Sequence, residues 1–408
     1  MPPGRRGATT IVNATDSVDA VEVVALGESM VTFLPTRPGR LADVPSFDRA
    51  IGGAESNVAC ALAAAGHAVR WVSRVGADGF GDHLLETVAS YGVDVSSVGR
   101  DPARPTGVYF RTDGDRATDA HEVAYYRAGS AASAMSTATV DVAAVRGGRI
   151  LHLSGITAAL SEGCLALLRE LTAPAGGGRP VVSFDVNYRP RLWGGSGGAQ
   201  VLLELARRAD IVFVGEDEAE QVWGVTGGPS AIRALLPEPE VLVVKQGAAG
   251  ATAFAAAAAR RGPAAQFPAP LTNPSAAPDS PRPPAAPDAA DTQGAQGPAA
   301  PVSVPTPRPD GTFEPAPAVD VVATVGAGDA FAAGFLSGVL RGLPVRQTLR
   351  LGHLFAAAAL TTPADLALPP DRDTTDRLTA LDPAEWGRLR LGPGWTQADA
   401  AEEEAPTP

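Results

Sequence analysis

Cysteines, aromatic residues and basic clusters are scarce in this 408-residue sequence, and each scarcity excludes a class of protein. The only two cysteines, Cys60 and Cys164, lie among alanines and leucines, so buried reduced thiols in a reducing cytoplasm are expected rather than a disulfide framework. The net charge is -12, and 5% of the residues are aromatic. Because no basic patch with interleaved aromatics occurs, no nucleic-acid partner is expected.

Several familiar sequence signals are also missing. No apolar run approaches the roughly 18 residues that a membrane span requires, and no apolar segment follows Arg5 and Arg6, so neither a membrane span nor a signal peptide is expected. The phosphate loop would need a Gly-Lys-Ser/Thr tripeptide, and the dinucleotide fingerprint would need glycine where Phe331 stands. The scattered histidines show no metal-ligand spacing.

What the sequence does contain is organised around residues 319–340. The pattern predicts an apolar strand from Val319 to Val322, a glycine turn, and a helix that starts at Asp329. Glycines allow close backbone approach, and helix N-termini carry unpaired N–H donors, so the turn is an anion cradle. A carboxylate in the mouth of such a cradle suits a general base that accepts a hydroxyl proton while the cradle holds a phosphoryl group. For Gly-x-Gly alone, an ordinary strand-to-helix turn is the alternative.

The rest of the chain predicts a sheet. Short apolar runs that alternate with helical segments favour an α/β fold with a mostly parallel central sheet and helices on both faces. The runs lie at residues 21–26, 70–75, 149–153, 180–185, 211–214 and 241–244. A helix is expected to open within residues 52–57 and to run through Ala64, and another is expected from Val345 to Thr361.

Residues 104–127 have a different pattern, which predicts a β-hairpin around the turn-forming residues 112–115. A hairpin inserted into an α/β chain cannot join the parallel sheet, so it is expected to form a small β lid with residues 37–50. It ends in Tyr125, Tyr126 and Arg127, which can grip a carboxylate through a bidentate guanidinium and two phenols. Aromatic packing with a solvated Arg127 is the alternative.

Further polar residues lie where predicted strands end or helices begin. Gly53 and Asn57 open a helix and suit a polyol, although a plain loop explains them equally well. Asn187 and Arg189 follow the strand at 180–185, where ligands of open α/β sheets bind, and alternation would point both side chains into one cleft. The turn at residues 245–250 suits either a nucleotide border or a β-hairpin.

Composition divides the chain into folded and unfolded parts. Residues 1–20 and the acidic tail at 393–408 are expected to be disordered. Residues 256–317 are rich in alanine and proline and poor in large apolar residues, so they predict a disordered insertion. The folded domain is therefore expected to comprise residues 21–255 and 318–392.

The segment from Ala323 to Asp329 resembles the C-terminal signature of the ribokinase (PfkB) family of carbohydrate kinases, Asp-Thr-x-Gly-Ala-Gly-Asp. Residues 21 to 390 outside the insertion look like that family. The chain most resembles its 2-keto-3-deoxygluconate kinases, on the segments Tyr125–Ser130, Leu151–Ile156 and Asp185–Trp193.

The resemblance implies a ribokinase-like fold and ATP-dependent phosphorylation of a sugar-acid hydroxyl, with Mg²⁺ arriving on the nucleotide. It implies that Asp329 is the base and that Gly326, Ala327 and Gly328 form the anion hole. It implies that Glu218 contributes to the outer shell of the metal. Because lids of this family often pair between subunits, it also favours a homo-oligomer. The implied sugar contacts are Gly53, Asn57, Tyr125, Tyr126, Arg127, Arg189 and Asp329; the implied ATP contacts are Asn187, Lys245, Gly247, Gly250, Gly326 and Gly328.

Two residues depart from the family pattern. Ala323 stands where the signature has aspartate, and Gly215 stands where the Asn-x-x-Glu motif associated with magnesium has asparagine. Both departures predict an altered metal response rather than an inactive protein. Two other functions remain open: a fructokinase or ribokinase that acts on a neutral sugar, and a non-catalytic homologue that binds sugar or nucleotide.

Overall fold

The computed structural model describes residues 21–112, 122–174, 179–194, 197–255 and 311–397. The expected N-terminal tail, the hairpin turn at 113–115, residues 256–310 of the expected insertion and residues 398–408 of the expected tail lie outside these ranges. Within the described ranges, no helix has the length and apolar character needed to cross a membrane.

An eight-stranded sheet occupies the centre, with the strand order β14-β13-β12-β11-β10-β9-β1-β4. The strands from β12 to β4 pair in parallel, and β13 and β14 add an antiparallel edge. The expected mostly parallel sheet is therefore confirmed. Its strands are β1 Val23–Leu26, β4 Val69–Val72, β9 Ile150–Ser154, β10 Val181–Asp185, β11 Ile211–Gly215, β12 Val241–Lys245, β13 Gly250–Ala255 and β14 Gly311–Pro315.

Helices cover both faces of this sheet, which explains why its parallel strands are mostly apolar. One face packs against α1, α2, α9 and α10, and the other packs mainly against α3 and α5 to α8. The helices are α1 Ala54–Ala64, α2 Gly79–Ser90, α3 Val142–Val145, α4 Gly155–Ala158, α5 Glu162–Leu171, α6 Gly198–Arg208, α7 Glu216–Trp223, α8 Gly228–Leu235, α9 Ala327–Leu340, α10 Val345–Leu360, α11 Arg372–Thr379 and α12 Pro383–Trp386.

A separate four-stranded sheet forms the lid, in the order β3-β2-β7-β8. The strands are β2 Met30–Pro35, β3 Phe47–Gly52, β7 Val108–Arg111 and β8 Val123–Tyr126. The antiparallel hairpin of β7 and β8 is confirmed. The expectation for residues 37–50 is only partly right, because β2 was missed and residues 37–46 form no strand.

The C-terminal limit of the expected insertion is wrong. Residues 311–315 are the edge strand β14, which pairs with β13 in the register Phe254 to Gly311. The carboxylate of Glu314 on this strand is 2.6 Å from the buried guanidinium of Arg350 on α10. This strand was not predicted because edge strand β14, which carries the buried charge of Glu314, lacks the apolar run that marks the inner strands.

The signature segment also differs in detail from the expectation. Only Ala318–Val319 form a strand (β15), which pairs with β16 Arg390–Leu391, while residues 320–322 are irregular. Helix α9 begins at Ala327, two residues earlier than expected. The expected tail begins too early, since Trp395 packs against the small apolar cluster around Trp386. Two short strands, β5 Arg74–Gly76 and β6 Gly99–Asp101, pair beside the main sheet.

Candidate active site

The candidate site lies where the parallel strands end. Ser154, Asp185, Gly215 and Lys245 are the last residues of β9 to β12, and the sheet register brings these ends to one edge. Helix α9 begins at the same edge, because its N-terminal region contacts both α1 and Lys245. In open α/β sheets this edge is where ligands bind.

The turn that opens α9 is built to approach an anion. Gly326 has a φ of 80°, a left-handed conformation that glycine adopts without strain. A Cβ atom at Gly326 would overlap the carbonyl oxygen of Asp365, so only glycine fits there. The first N–H groups of a helix have no intrahelical partner, so those of Ala327 and Gly328 can bind an anion.

The carboxyl group of Asp329 lies in the first turn of this helix and is only partly buried. It accepts a hydrogen bond of 2.9 Å from the side-chain amide of Asn57 on α1. Burial, together with the negative charge of Asp185, raises the pKa of Asp329 to about 7, although Asn57, Arg189 and Lys245 oppose that rise. A carboxyl group with this pKa can accept a proton at neutral pH.

An ion pair lies beneath the turn. The ammonium group of Lys245 is 3.0 and 3.2 Å from the two carboxylate oxygens of Asp185. The same ammonium group is 3.6 Å from the position that a Cβ atom at Gly328 would take. Burial opposes the charge of Lys245, but Asp185 and Glu218 outweigh it and raise the pKa of the lysine.

On the lid side, Arg127 forms an ion pair with the buried carboxylate of Glu28 at the end of β1. The hydroxyl group of Ser130 donates a 2.6 Å hydrogen bond to the same carboxylate, so the chain after β8 is held against the main domain. The Nε atom of Arg127 is buried without a hydrogen-bond partner among the described residues. Tyr125 is half exposed, and the guanidinium carbon of Arg127 lies 5.8 Å from its ring centroid.

Tyr126 does not face the same way as Tyr125. The register pairs Tyr125 with Tyr109, whose rings are 5.4 Å apart, whereas Tyr126 pairs with Val108 on the opposite face. Neighbouring strand residues point to opposite faces, so Tyr125 and Tyr126 lie on opposite faces of the lid, and the sugar contact of Tyr126 stays a prediction. Its ring contacts that of Phe110 at 6.0 Å on the outer face of the lid.

Gly53 and Asn57 have structural partners of their own. A Cβ atom at Gly53 would overlap the carbonyl oxygen of Glu28, so close backbone packing requires this glycine. The amide nitrogen of Asn57 is engaged by Asp329, while its oxygen Oδ1 is buried without a partner in the described ranges. Successive contacts thus connect Arg127, Glu28, α1 and Asp329 along one side of the site.

The alternation argument for Asn187 and Arg189 is wrong. Strand β10 ends at Asp185, and Asn187 has a φ of 42°, so the backbone turns sharply where extended structure was expected. Asn187 is buried, whereas half of the Arg189 side chain is exposed. Arg189 still lies near enough to Asp329 to lower its pKa.

Glu218 is already engaged by protein groups. Its carboxylate accepts hydrogen bonds from the backbone N–H groups of Gly215 (2.6 Å) and Tyr188 (3.2 Å). A carboxylate has further lone pairs, so it can still accept a bond from a metal-bound water. Across the described ranges, no three His, Cys, Asp or Glu side chains gather into a metal site.

The turn at residues 245–250 is the hairpin between β12 and β13. Gly247 lies in a left-handed conformation with open space around it, which leaves room for a ligand. A Cβ atom at Gly250 would overlap the carbonyl oxygen of Glu314, so the edge strand β14 accounts for that glycine without a nucleotide.

Several residues of the site were missed by reasoning from the sequence. Arg111 and Asp185 end strands β7 and β10, and Tyr109 lies within β7. Glu28 and Asp365 lie in loops, where a carboxylate indicates a partner but not its identity. On β7 the alternation that marked Val108 and Phe110 as apolar also placed Tyr109 and Arg111 together on the other face. The missed residues are Glu28, Tyr109, Arg111, Asp185 and Asp365.

Comparisons with known proteins show the family and the fold. The sequence profile of the pfkB family carbohydrate kinase matches residues 21–280 and 292–371. The chain is 30% identical over 359 residues to the 2-dehydro-3-deoxygluconokinase of Bacillus subtilis (strain 168), which covers 86% of this chain and 94% of that relative. It is 33% identical over 243 residues to fructokinase-1 of Oryza sativa subsp. japonica, covering 57% of this chain and 72% of the relative. The crystal structure of a PfkB protein from Polaromonas sp. JS666 superposes with a TM-score of 0.65 and 29% identity, covering 89% of this chain and all of that one.

A doubly covered parallel sheet with a β lid, a glycine turn opening α9 and a carboxylate in its first turn define a sugar kinase of the ribokinase-like fold. The chain belongs to the pfkB family of carbohydrate kinases. It is accordingly an ATP-dependent carbohydrate kinase.

Proposed function

We propose that the protein transfers the γ-phosphoryl group of ATP to a hydroxyl group of a sugar acid, 2-keto-3-deoxygluconate, and yields the 6-phosphate. The observation that carries this proposal is the buried Nε atom of Arg127, a charged donor that lacks a partner within the described residues. An unpaired buried donor is costly, and a carboxylate is the acceptor that matches a guanidinium best. The relationship to a 2-dehydro-3-deoxygluconokinase over most of the chain supports the same substrate.

In this proposal Arg127, Tyr125 and Arg189 hold the sugar acid between the lid and the strand ends. The acceptor hydroxyl faces Asp329, which takes its proton as the oxygen attacks the γ-phosphorus. The bond between that phosphorus and the departing ADP breaks, and the N–H groups that follow Gly326 stabilise the charge on the phosphoryl oxygens. Asn57 orients the base through its 2.9 Å hydrogen bond.

ATP lies on the opposite side of the turn, beside Asn187, Lys245 and Gly247. Gly250 belongs to the same hairpin, although packing against β14 already accounts for it. Mg²⁺, when bound, neutralises phosphate charge and is held mainly by phosphate oxygens and water. Glu218 retains lone pairs for an outer-shell contact of this kind.

A neutral-sugar kinase is the second candidate, because the Glu28 carboxylate already compensates the charge of Arg127. A panel of 2-keto-3-deoxygluconate, fructose and ribose, assayed for ADP release, separates the two. We expect kcat/KM for the sugar acid to exceed that for either neutral sugar by at least about 100-fold, roughly the worth of one charged hydrogen bond. A preference for fructose or ribose would overturn the proposed substrate but leave the kinase intact.

The same panel of sugars distinguishes both kinases from a third candidate, a non-catalytic homologue that binds sugar or nucleotide. Such a protein would bind ATP or sugar without releasing ADP from any member of the panel. Catalysis is favoured here because Asp329, unlike Ala323 and Gly215, keeps the residue of the family motif, and its pKa near 7 suits a base.

We also propose that the protein is a cytoplasmic homo-oligomer that pairs through its lid. The outer face of the lid carries Phe33 and Phe110, stacked 4.7 Å apart, next to the exposed rings of Phe80 and Tyr126. Two buried reduced cysteines suit a reducing compartment. We expect a dimer in sedimentation experiments that Tyr126→Glu dissociates, whereas a monomeric wild-type protein would contradict this pairing.

A further inference from the structure

The ion pair beneath the anion-binding turn is unusual in its placement. Lys245 is the last residue of β12, and Asp185 is the last residue of β10, so the intervening strand β11 separates them. On β11 the register partner of Lys245 is Gly215, which has no side chain. The lysine can therefore extend across β11 to reach Asp185.

We propose that Lys245 is the cation that this chain places against the transferring phosphoryl group, and that Asp185 is a positioning residue that holds the ammonium group beneath the turn. The proposal rests on the assignment of Asp329 as the base. It goes beyond a nucleotide contact, since it assigns the lysine to the chemical step.

The location supports this role. The ammonium group lies 3.6 Å from where a side chain at Gly328 would start, so it lies under the backbone that carries the anion-binding N–H groups. A lysine is a compact point charge with three donors, which suits phosphate oxygens whose positions shift during transfer. The Asp185 side chain is only 3% exposed, so water does not compete for its carboxylate, which holds the ammonium group of Lys245 in place.

The charges around the base fit the same picture. Asp185, Lys245 and Arg189 all act on Asp329, and Glu218 acts on Lys245. Asp185 and Glu218 keep the buried lysine protonated at neutral pH. Glu218 accepts hydrogen bonds from two backbone N–H groups, whereas the ammonium group of Lys245 lies close to Gly328 in the turn, where it can meet the incoming charge.

In the reaction, the sugar oxygen forms a bond to the γ-phosphorus, the bond to the ADP oxygen breaks, and Asp329 receives the sugar proton. Lys245 stays protonated throughout and donates hydrogen bonds to phosphoryl oxygens that gain charge in the transition state. A group that acts mainly in the transition state raises kcat without tightening ATP binding.

The test compares Lys245→Met, Lys245→Arg and Asp185→Asn in the full-length protein. We expect Lys245→Met to lower kcat about 100-fold, as loss of one oxyanion donor does, with little change in KM for ATP or sugar. Lys245→Arg should restore part of that loss because it keeps the charge. Asp185→Asn should lower kcat by about 10-fold, since the lysine remains but loses its anchor.

The pH profile supplies a readout that general destabilisation would not move. Removing the positive charge at Lys245 should shift the acid limb of kcat to higher pH, whereas removing the negative charge at Asp185 should shift it to lower pH. Asp210→Asn is the matched control. It breaks the 2.6 Å ion pair with Arg179, which joins the starts of β10 and β11 at the opposite edge of the sheet. We expect it to lower the melting temperature and leave kcat and its acid limb unchanged.

Three results would overturn the inference. One is a higher KM for ATP in Lys245→Met without a loss of kcat, which would make the lysine a ground-state nucleotide contact. The second is an unchanged kcat in Lys245→Met. The third is an acid limb of the kcat profile that shifts in the same direction in Lys245→Met and in Asp185→Asn. Asp329→Asn in the same assay separates these failures from failure of the proposed base, because only the latter would leave that variant active.

Discussion

The guanidinium group of Arg111 on the lid lies 2.7 Å from the carboxylate of Asp365, which follows helix α10. Arg111 also donates a 2.8 Å hydrogen bond to the carbonyl oxygen of Pro363, and the hydroxyl group of Tyr109 donates to Asp365. The backbone of Asp365 packs on Gly326. A strand of the lid is thus tied to the loop that borders the anion-binding turn.

Replacing Arg111 by methionine should destabilise the protein by about 3–5 kcal/mol, because a buried Asp365 would lose its counter-charge. Chemical denaturation measures the change. Arg40→Met is the matched control, since the Arg40–Asp43 pair is 72% and 57% exposed and should contribute at most about 1 kcal/mol. Equal losses of stability in the two variants would show that the buried ion pair of Arg111 and Asp365 stabilises the protein no more than an exposed pair does.

The activity should depend on pH through the proposed base. Since burial raises the pKa of Asp329 to about 7, kcat/KM should fall tenfold per pH unit below that value. Initial rates measured from about pH 5.5 to about pH 9, a range that brackets this pKa, give the acid limb of the kcat/KM profile. Rates that stay constant down to about pH 5.5 would instead indicate a base with an ordinary carboxyl pKa.

Asp329→Asn should cut turnover by about 1,000-fold or more while ATP binding persists. Because the folded-state pKa lies above the unfolded one, the stability cost of ionising Asp329 accumulates as pH rises from the ordinary carboxyl value and is complete above about 7. The variant should therefore melt a few degrees higher than the wild type at pH 8, with a smaller difference at pH 5. A lower melting temperature at pH 8 would contradict the strained, partly buried carboxylate. Asp320→Asn, at an exposed position six residues before the turn, should change neither property.

The two glycines of the turn should respond differently to alanine. Gly326→Ala faces both a left-handed φ of 80° and a clash with Asp365, so it should lose several kcal/mol of stability and nearly all activity. A Cβ atom at Gly328 meets Lys245 at an ordinary 3.6 Å, so Gly328→Ala should keep the wild-type melting temperature. Melting curves of both variants decide, and equal stabilities would refute the steric argument.

The long connection between β13 and β14 should be dispensable. Strand register places Phe254 opposite Gly311, so the chain ends on either side of residues 256–310 are neighbours. A turn of about four residues that contains glycine can close such a hairpin. We expect this shortened variant to retain kcat within about threefold, a change of less than 1 kcal/mol.

Glu314→Gln provides the contrast for that deletion. It leaves Arg350, a fully buried cation, without its 2.6 Å carboxylate partner, and should destabilise the protein strongly. If the shortened variant fails to fold while Glu314→Gln is stable, the connection contributes to the domain and the strand pair does not.

The sequence predicted the structure correctly where a local residue pattern is compatible with only one kind of element. Parallel strands buried on both faces left mostly apolar runs, and the glycine turn before Asp329 predicted the start of helix α9 to within two residues. Edge strand β14 escaped because pairing, rather than composition, defines it. The partners of Glu28, Arg111 and Asp185 escaped because each ion pair joins segments that are distant in sequence. No local pattern specifies which of several arginines a buried carboxylate will meet.

The direction in which a side chain points was the second feature that the sequence could not predict. A period of two fixes which residues of a strand share a face but not which face meets the ligand, so Tyr125 and Tyr126 were taken together. The end of a strand is equally hard to place, and the sharp bend at Asn187 removed the alternation assumed through Arg189.

The connection at residues 256–310 also divides the reacting groups along the polypeptide. Asn57, Arg127 and Lys245 precede it, whereas the turn and Asp329 follow it. A ribosome that has released only the first 255 residues has made seven of the eight central strands and the entire lid, but not Asp329, the proposed proton acceptor. The proposed site is therefore completed at one late moment of synthesis, when α9 docks on α1 and its carboxylate meets an amide made some 270 residues earlier.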